Sequence, residues 1–223
     1  TRLNGITSSD DLIAELTNEK EKLYKQVIKL ASELTKLRKS AAKEIEKQMQ
    51  ARLIPLGMPN VQFKVELTPD KEPDANGMDK VAFLFSANKN STLQNVAAIA
   101  SGGEIARVML SIKALIAGTM NLPTIIFDEI DTGVSGEIAE KMARIMQEMG
   151  QNGRQVISIT HLPQIASLGS AHYKVYKKDN ETGTTSHICR LTSEERIEEI
   201  AHMLSGSILT EAAINNARAL LKQ

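Results

Sequence analysis

Thr124–Glu129 reads TIIFDE, and its first four residues make a short, nearly unbroken apolar run that stops at two adjacent carboxylates. Such a run is the pattern of a strand covered on both faces in a parallel sheet. A strand ending this way places Asp128 and Glu129 at the carboxyl edge of the sheet, where open α/β proteins bind ligands. Thirty residues on, Val156-Ile-Ser-Ile-Thr-His161 repeats the arrangement, an apolar strand followed by a side chain able to hydrogen-bond. Between the two, Glu137–Met149 carries helical periodicity. Strand, helix and strand in this order predict a parallel βαβ unit.

Upstream lies Ala100–Leu110, ASGGEIARVML. Ser101 and Glu104 form the S-x-x-E pattern of a capping box, and Ile105, Val108, Met109, Ile112, Leu115 and Ile116 mark one face of a helix. Two glycines in a first turn cost roughly 1 kcal/mol each relative to alanine. Gly102 and Gly103 therefore call for a reason, and close approach of another group to bare backbone is one. Downstream, His172–Lys178 and Thr184–Leu191 flank DNETG as an edge hairpin, and helices are expected near Ser193–Leu204 and Thr210–Leu221.

The N-terminal quarter has a different texture. From Asp11 to Leu53 it is charged and free of Gly and Pro; Leu16, Leu23, Leu30 and Leu37 recur every seven residues, with Val27, Leu34 and Ala41 offset by four. This a/d row predicts a coiled-coil arm; a long amphipathic helix lying on a core would share part of the pattern. Pro55, Gly57 and Pro59 end it, so residues 1–54 are expected as an arm segment and 55–223 as a globular lobe. The lobe opens with a strand at Val61–Leu67, a polar loop over Thr68–Lys80 and a second strand at Val81–Phe85.

Bulk composition narrows the class. The 223 residues are 42% hydrophobic, with 27 basic and 27 acidic side chains. Neutral net charge makes no global electrostatic case for nucleic acid. One cysteine, Cys189, leaves no internal disulfide framework and suits a reducing compartment. No apolar run nears the ~20 residues of a membrane span. A start at Thr1 without Met, inside a helical pattern, is what an excised fragment would show.

Asp128 and Glu129 carry the most specific chemistry. A strand-end Asp can hold Mg²⁺ through water, and a neighbouring Glu can orient and deprotonate an attacking water. The same residues can equally be a strand running into a polar loop. His161 ends the next strand, on the same expected edge. His172, His187, His202 and Cys189 lack metal-ligand spacing and are read as structural.

In combination these strings resemble the ABC-type ATPases. Ser101-Gly-Gly-Glu104 is similar to their signature motif, Asp128-Glu129 to their Walker B pair, Asp131–Gly136 to their D-loop, and His161 to their switch histidine. A heptad arm entering the head narrows the resemblance to the SMC-like branch. The strings IIFDEIDTGVSG and ITHLPQIAS narrow it further, to a DNA double-strand-break repair and recombination member. Other SMC-like heads more often carry Ala-Ala-Leu-Asp where this chain has Thr132-Gly-Val-Ser135.

The resemblance implies an α/β fold: the C-terminal lobe of an ABC-type ATPase head, mainly parallel sheet with flanking helices and an edge hairpin, behind an N-terminal coiled-coil arm. It implies ATP and Mg²⁺ as cofactors and ATP hydrolysis at sites shared by two heads. Glu129 and His161 would be catalytic, and Asp128 would hold Mg²⁺, mostly through water. Ser101, Gly102, Gly103 and Glu104 would meet ATP of the opposite subunit, with Asp131 and Ser135 in the D-loop. Partners would be the N-terminal half of the same protein, a second head as a homodimer, and DNA; the setting would be cytoplasmic, at the nucleoid, with no membrane. A P-loop needs G-x-x-x-x-G-K-[ST], and none of the thirteen glycines precedes a lysine. The chain alone is therefore expected to be inactive. Competing readings are another SMC-like chromosome-organising head, and a non-enzymatic coiled-coil scaffold on a degenerate nucleotide fold.

Overall fold

The structure, a computed structural model, describes residues 2–89, 91–99, 101–120, 122–151, 153–180, 183–206 and 208–222. It forms two compact units: Thr1–Gln50 with Gln62–Ala97, and Ala51–Val61 with Ala98–Gln223. The first strands thus group with the arm, whereas the sequence reading drew a single division after residue 54.

The first unit is built on α1 (Arg2–Leu53), β1 (Gln62–Asp74), β2 (Gly77–Ser86) and the short β3 (Gln94–Asn95). The three strands form one antiparallel sheet in the order β1-β2-β3. The expected polar loop over Thr68–Lys80 is instead ladder and turn: Thr68 pairs with Lys80 and Asp74 with Gly77, with a register shift after Pro69. Its physical reason is Asn76-Gly77, a hairpin-turn pair, with Gly77 at φ 103° where other residues are strained. Polar composition hid the strand, because this part of the ladder is mostly solvent-facing.

The arm is one long helix, α1, with part of one side packed and the heptad leucines open. Ala31, Ala42 and Met49 are buried, while Leu16, Leu23, Leu30 and Leu37 stay more than half exposed. The buried side is tied to the hairpin. Thr35 Oγ1 and Arg38 Nη1 donate to Asp79 Oδ2 at 2.8 and 3.1 Å, Arg38 Nη2 donates to Asn76 O at 2.7 Å, and Val65 N donates to Glu46 Oε1 at 2.9 Å. Asp79 is almost wholly buried, so a charged donor and a hydroxyl offset its desolvation. The leucine row is left as an open a/d seam.

The second unit holds α2 (Gly102–Thr119), β4 (Thr124–Asp128), α3 (Gly136–Gln151), β5 (Gln155–Ile159), α4 (Pro163–Leu168), β6 (Tyr173–Asn180), β7 (Gly183–Arg190), α5 (Ser193–Ser205) and α6 (Glu211–Leu221). β4 and β5 pair in parallel, from Thr124↔Gln155 to Asp128↔Ile159, as the βαβ reading requires. β6 and β7 form the expected antiparallel hairpin; turn residues 181 and 182 lie outside the described residues. Among the described residues, parallel pairing is confined to β4 and β5, and the other ladders are antiparallel.

The main core of this unit gathers Leu110, Ile125, Phe127, Met142 and Met146 from α2, β4 and α3. Full burial of Phe127 contributes about 2–3 kcal/mol. α5 and α6 pack through Ile200, Ala201, Ala213 and Ala217 as a second cluster. A complete capping box starts α5: Glu195 N donates to Thr192 Oγ1, and Thr192 N donates to Glu195 Oε2. The expectation of a strand covered on both faces is corrected within this chain. Ile125 and Phe127 are buried, but Ile126 on β4 and Ile157 and Ile159 on β5 are 40–54% exposed. The sheet therefore has an apolar face open to a covering element. Among the described residues, no helix is long and apolar enough to cross a membrane.

Candidate functional site

The site begins where α2 begins. Ser101 is the N-cap in extended backbone, and its Oγ accepts from Glu104 N at 3.4 Å. The reciprocal half of the expected capping box is not formed here, in contrast to Thr192 and Glu195. The two glycines then divide. Gly102 is exposed, with nothing within 4 Å of where a Cβ would stand. Gly103 is buried, and a Cβ there would lie 2.7 Å from Gly133 O. One glycine leaves the helix start open; the other admits the chain's own loop. Arg107 fastens the same turn, donating from Nε to Gly103 O at 2.9 Å and from Nη1 to Leu56 O at 3.0 Å.

β4 delivers Asp128 and Glu129 to its carboxyl end, both exposed. Glu129 N donates to Ile159 O at 3.2 Å, continuing the parallel ladder by one step. The chain then breaks away sharply, with Glu129 at φ 47°, the one positive-φ residue other than glycine among those described. Thr132 anchors the turn by donating to Glu129 O from its N and its Oγ1, at 3.3 and 3.0 Å. Strain of order 1–3 kcal/mol at such a residue persists where its surroundings over-determine it, and it concentrates at functional sites.

Between α2 and the end of β4 lies a cleft of about 330 Å³. Gly102, Met109, Lys113, Asp128, Glu129 and Thr132 are among its lining residues, so the signature-like glycine and both carboxylates share one opening. Lys113 donates to Ile126 O at 3.2 Å and sits 4.9 Å over the Phe127 ring. Sequence reasoning passed over Lys113, Arg107 and Gly133, which look like ordinary helix and turn residues until the fold sets them beside the site.

His161 and Asp131 form a second grouping. Asp131 is fully buried, and its Oδ2 accepts from Thr160 Oγ1 in a very short hydrogen bond and from His161 N at 3.3 Å. His161 Nδ1 lies 3.5 Å from the same oxygen, and the His161 side chain is 66% exposed. Asp131 Oδ1 has no partner. Asp131, in the expected D-loop, is thus held by Thr160 and His161, and Ser135 is exposed just ahead of α3. The residues read as structural are engaged locally: His187 stacks on Tyr176 with centroids 5.5 Å apart, His202 Nδ1 is 3.1 Å from Gly206 O, and Cys189 Sγ lies 3.9 Å from Lys174 O.

The donor chemistry suits Mg²⁺ and not a protein-built cage. Among the described residues no group of three or more His, Cys, Asp and Glu converges. A strand-end carboxylate beside an open cleft matches an ion that keeps several waters and shares phosphate oxygens.

No protein-family model matches the chain. By sequence it is 36% identical over 214 residues, 96% of its length, to the DNA repair protein RecN of Vibrio cholerae. It is 35% identical over 224 residues, 99% of its length, to that of Halalkalibacterium halodurans. The chain spans 38% and 40% of the length of these relatives. By structure it is similar to the Smc head domain with a coiled coil and joint from Pyrococcus yayanosii, at TM-score 0.64 and 19% identity, over 88% of this chain and 36% of that one. A chain from a structural study of ATP-driven dimerization of SMC ATPases aligns over 78% of this chain and 98% of its own length, at TM-score 0.53 and 18% identity. With a strand-end Asp-Glu pair and a Ser-Gly-Gly-Glu helix start on a fold similar to that of SMC heads, the chain is similar over nearly its whole length to RecN proteins, of which it spans about two fifths.

Proposed function

We propose that this chain is the signature and Walker B part of a RecN-type ATPase head acting in double-strand-break repair and recombination. The observation that carries the reading is the exposed Asp128-Glu129 pair at the carboxyl end of a parallel strand, in the same unit as a helix start that Gly102 leaves open. Similarity to DNA repair protein RecN of two bacteria supports the repair role.

Asp128 would hold Mg²⁺, which when bound neutralises phosphate charge. Glu129 stands one residue further on, exposed and fixed by its ladder and turn bonds, where its carboxylate can take a proton from an attacking water. Ser101, Gly102 and Gly103 present the α2 N-terminus, whose unpaired N–H groups and positive dipole end attract an anion. Gly102 leaves that end open, so the phosphate it receives comes from outside this unit; ATP held by a second head is that source. His161, exposed just after β5, would meet a γ-phosphate in its own head. Asp131 and Ser135 belong to the loop joining these parts.

The apolar face of Ile126, Ile157 and Ile159 and the open leucine row of α1 both await covering elements. The rest of the same protein would supply them: a P-loop lobe on the sheet and an outgoing arm helix on the seam. Two heads closing on ATP and parting after hydrolysis would move the arms and any DNA they hold. The test is complementation. The chain alone should hydrolyse no ATP above background, and activity should appear when the remaining part of the protein, with its P-loop, is added. Robust turnover by this chain alone would overturn the shared-head reading.

A further inference from the structure

We propose that Asp131 is the positioning residue for His161, fixing which ring nitrogen carries the proton; this rests on the reading of His161 as the γ-phosphate-facing residue. Asp131 is fully buried between the turn after β4 and the end of β5, and a carboxylate there is costly unless donors surround it. The donors are present, but they crowd one oxygen. Thr160 Oγ1, His161 N and His161 Nδ1 all face Oδ2, while Oδ1 is buried without a partner.

The two donors and the ring contact have distinct jobs. Thr160 Oγ1 also accepts from Leu162 N at 3.0 Å, so the Thr160–Asp131 bond pins the backbone on either side of His161. His161 N completes the backbone anchor. Neither bond concerns the ring. The third contact does: His161 Nδ1 stands 3.5 Å from Oδ2, and beside an acceptor-only carboxylate a hydrogen on that nitrogen is favoured over a lone pair. Nε2 is then the bare ring nitrogen, on a side chain that is 66% exposed. A buried carboxylate, an imidazole and an outward nitrogen form the orienting pair of a hydrolytic triad, in which the carboxylate sets tautomer and ring angle and never meets substrate. Nothing in sequence joins the partners, which lie 30 residues apart. The parallel register Asp128↔Ile159 brings the two strand ends together.

The experiment reads the tautomer directly, by ring ¹⁵N–¹H correlation NMR of this chain with ¹⁵N-labelled histidine and the His161 ring neutral. The expected result is a protonated Nδ1 and a bare Nε2 for His161. Asp131→Asn removes the charge while keeping the shape, and should return the ring toward the Nε2–H form. A Nε2–H ring in the unaltered chain overturns the proposal, and that measurement decides even if the variant fails to fold. An unchanged Nδ1–H ring in a natively folded Asp131→Asn chain overturns it as well. In the full-length protein, Asp131→Asn should lower ATP turnover about tenfold or more, as lost orienting partners do. The His161→Ala variant separates the two claims. Unchanged turnover there overturns the phosphate-facing reading while a Nδ1–H ring still supports the Asp131 contact; abolished turnover with a Nε2–H ring overturns the positioning alone.

Discussion

Gly103 and Gly133 meet backbone to backbone, so closely that a Cβ on Gly103 would stand 2.7 Å from the Gly133 carbonyl oxygen. The start of α2 is thereby locked onto the turn that follows Asp128 and Glu129. The two glycines of the helix start should consequently respond in opposite ways. Gly103→Ala meets backbone that has no flexible end to move aside, and should lower stability by about 1–3 kcal/mol. Gly102→Ala meets nothing and should leave stability unchanged or raise it by up to about 1 kcal/mol through helix propensity. Urea denaturation of the two variants checks this; equal effects would remove the distinction. In the full-length protein Gly102→Ala should nonetheless reduce ATP turnover, because the added methyl group stands where phosphate approaches.

His172 makes stability depend on pH. Burial, followed by the charge of Arg196, holds its pKa below the ordinary histidine value. The folded state therefore prefers the neutral ring. Its contribution is fully present above the unfolded pKa of about 6.5 and is lost as pH falls from there through the lowered folded pKa. Denaturation midpoints should thus drop as pH falls below about 6.5, and His172→Gln should flatten that slope. An unchanged slope in His172→Gln would assign the effect to other groups.

The open leucine row makes its own claim. Leu23 and Leu30 are 52% and 64% exposed on α1, on a face separate from the buried Ala31 and Ala42. The isolated chain should self-associate through residues 12–41, and Leu23→Glu with Leu30→Glu should make it monomeric without lowering helicity. Sedimentation velocity and far-UV circular dichroism together read this. A monomer at high concentration for the unaltered chain would show that the seam is not a pairing surface by itself.

What the sequence disclosed and what it withheld follow from range. Asp128 and Glu129 were legible because strand, stop and carboxylates are contiguous, and the parallel partner was legible because β5 repeats the pattern. The heptad row gave the long helix, yet it could not show that α1 sets Thr35 and Arg38 against Asp79 and Asn76. Asn76-Gly77 was a turn signal outweighed by surrounding polar residues, so a solvent-facing ladder passed for a loop. Ile126, Ile157 and Ile159 look like core in sequence but are exposed here, because apolar composition does not reveal which covering element lies within the chain. For Asp131 the sequence offers only its place in the D-loop-like stretch Asp131–Gly136, and its packing partners are not legible there. Its place was decided by Thr160 and His161, which only the sheet register brings to it.

The central claim is that Glu129 is the proton-accepting carboxylate of a head completed by other chains and other parts of the protein. Its most direct test is Glu129→Gln in the full-length protein, measuring ATP turnover and ATP-dependent dimerisation side by side. Turnover should fall by about 100-fold or more, the scale of lost general-base catalysis, while ATP binding persists and the ATP-bound dimer outlives that of the unaltered protein. Turnover equal to that of the unaltered protein would contradict the account.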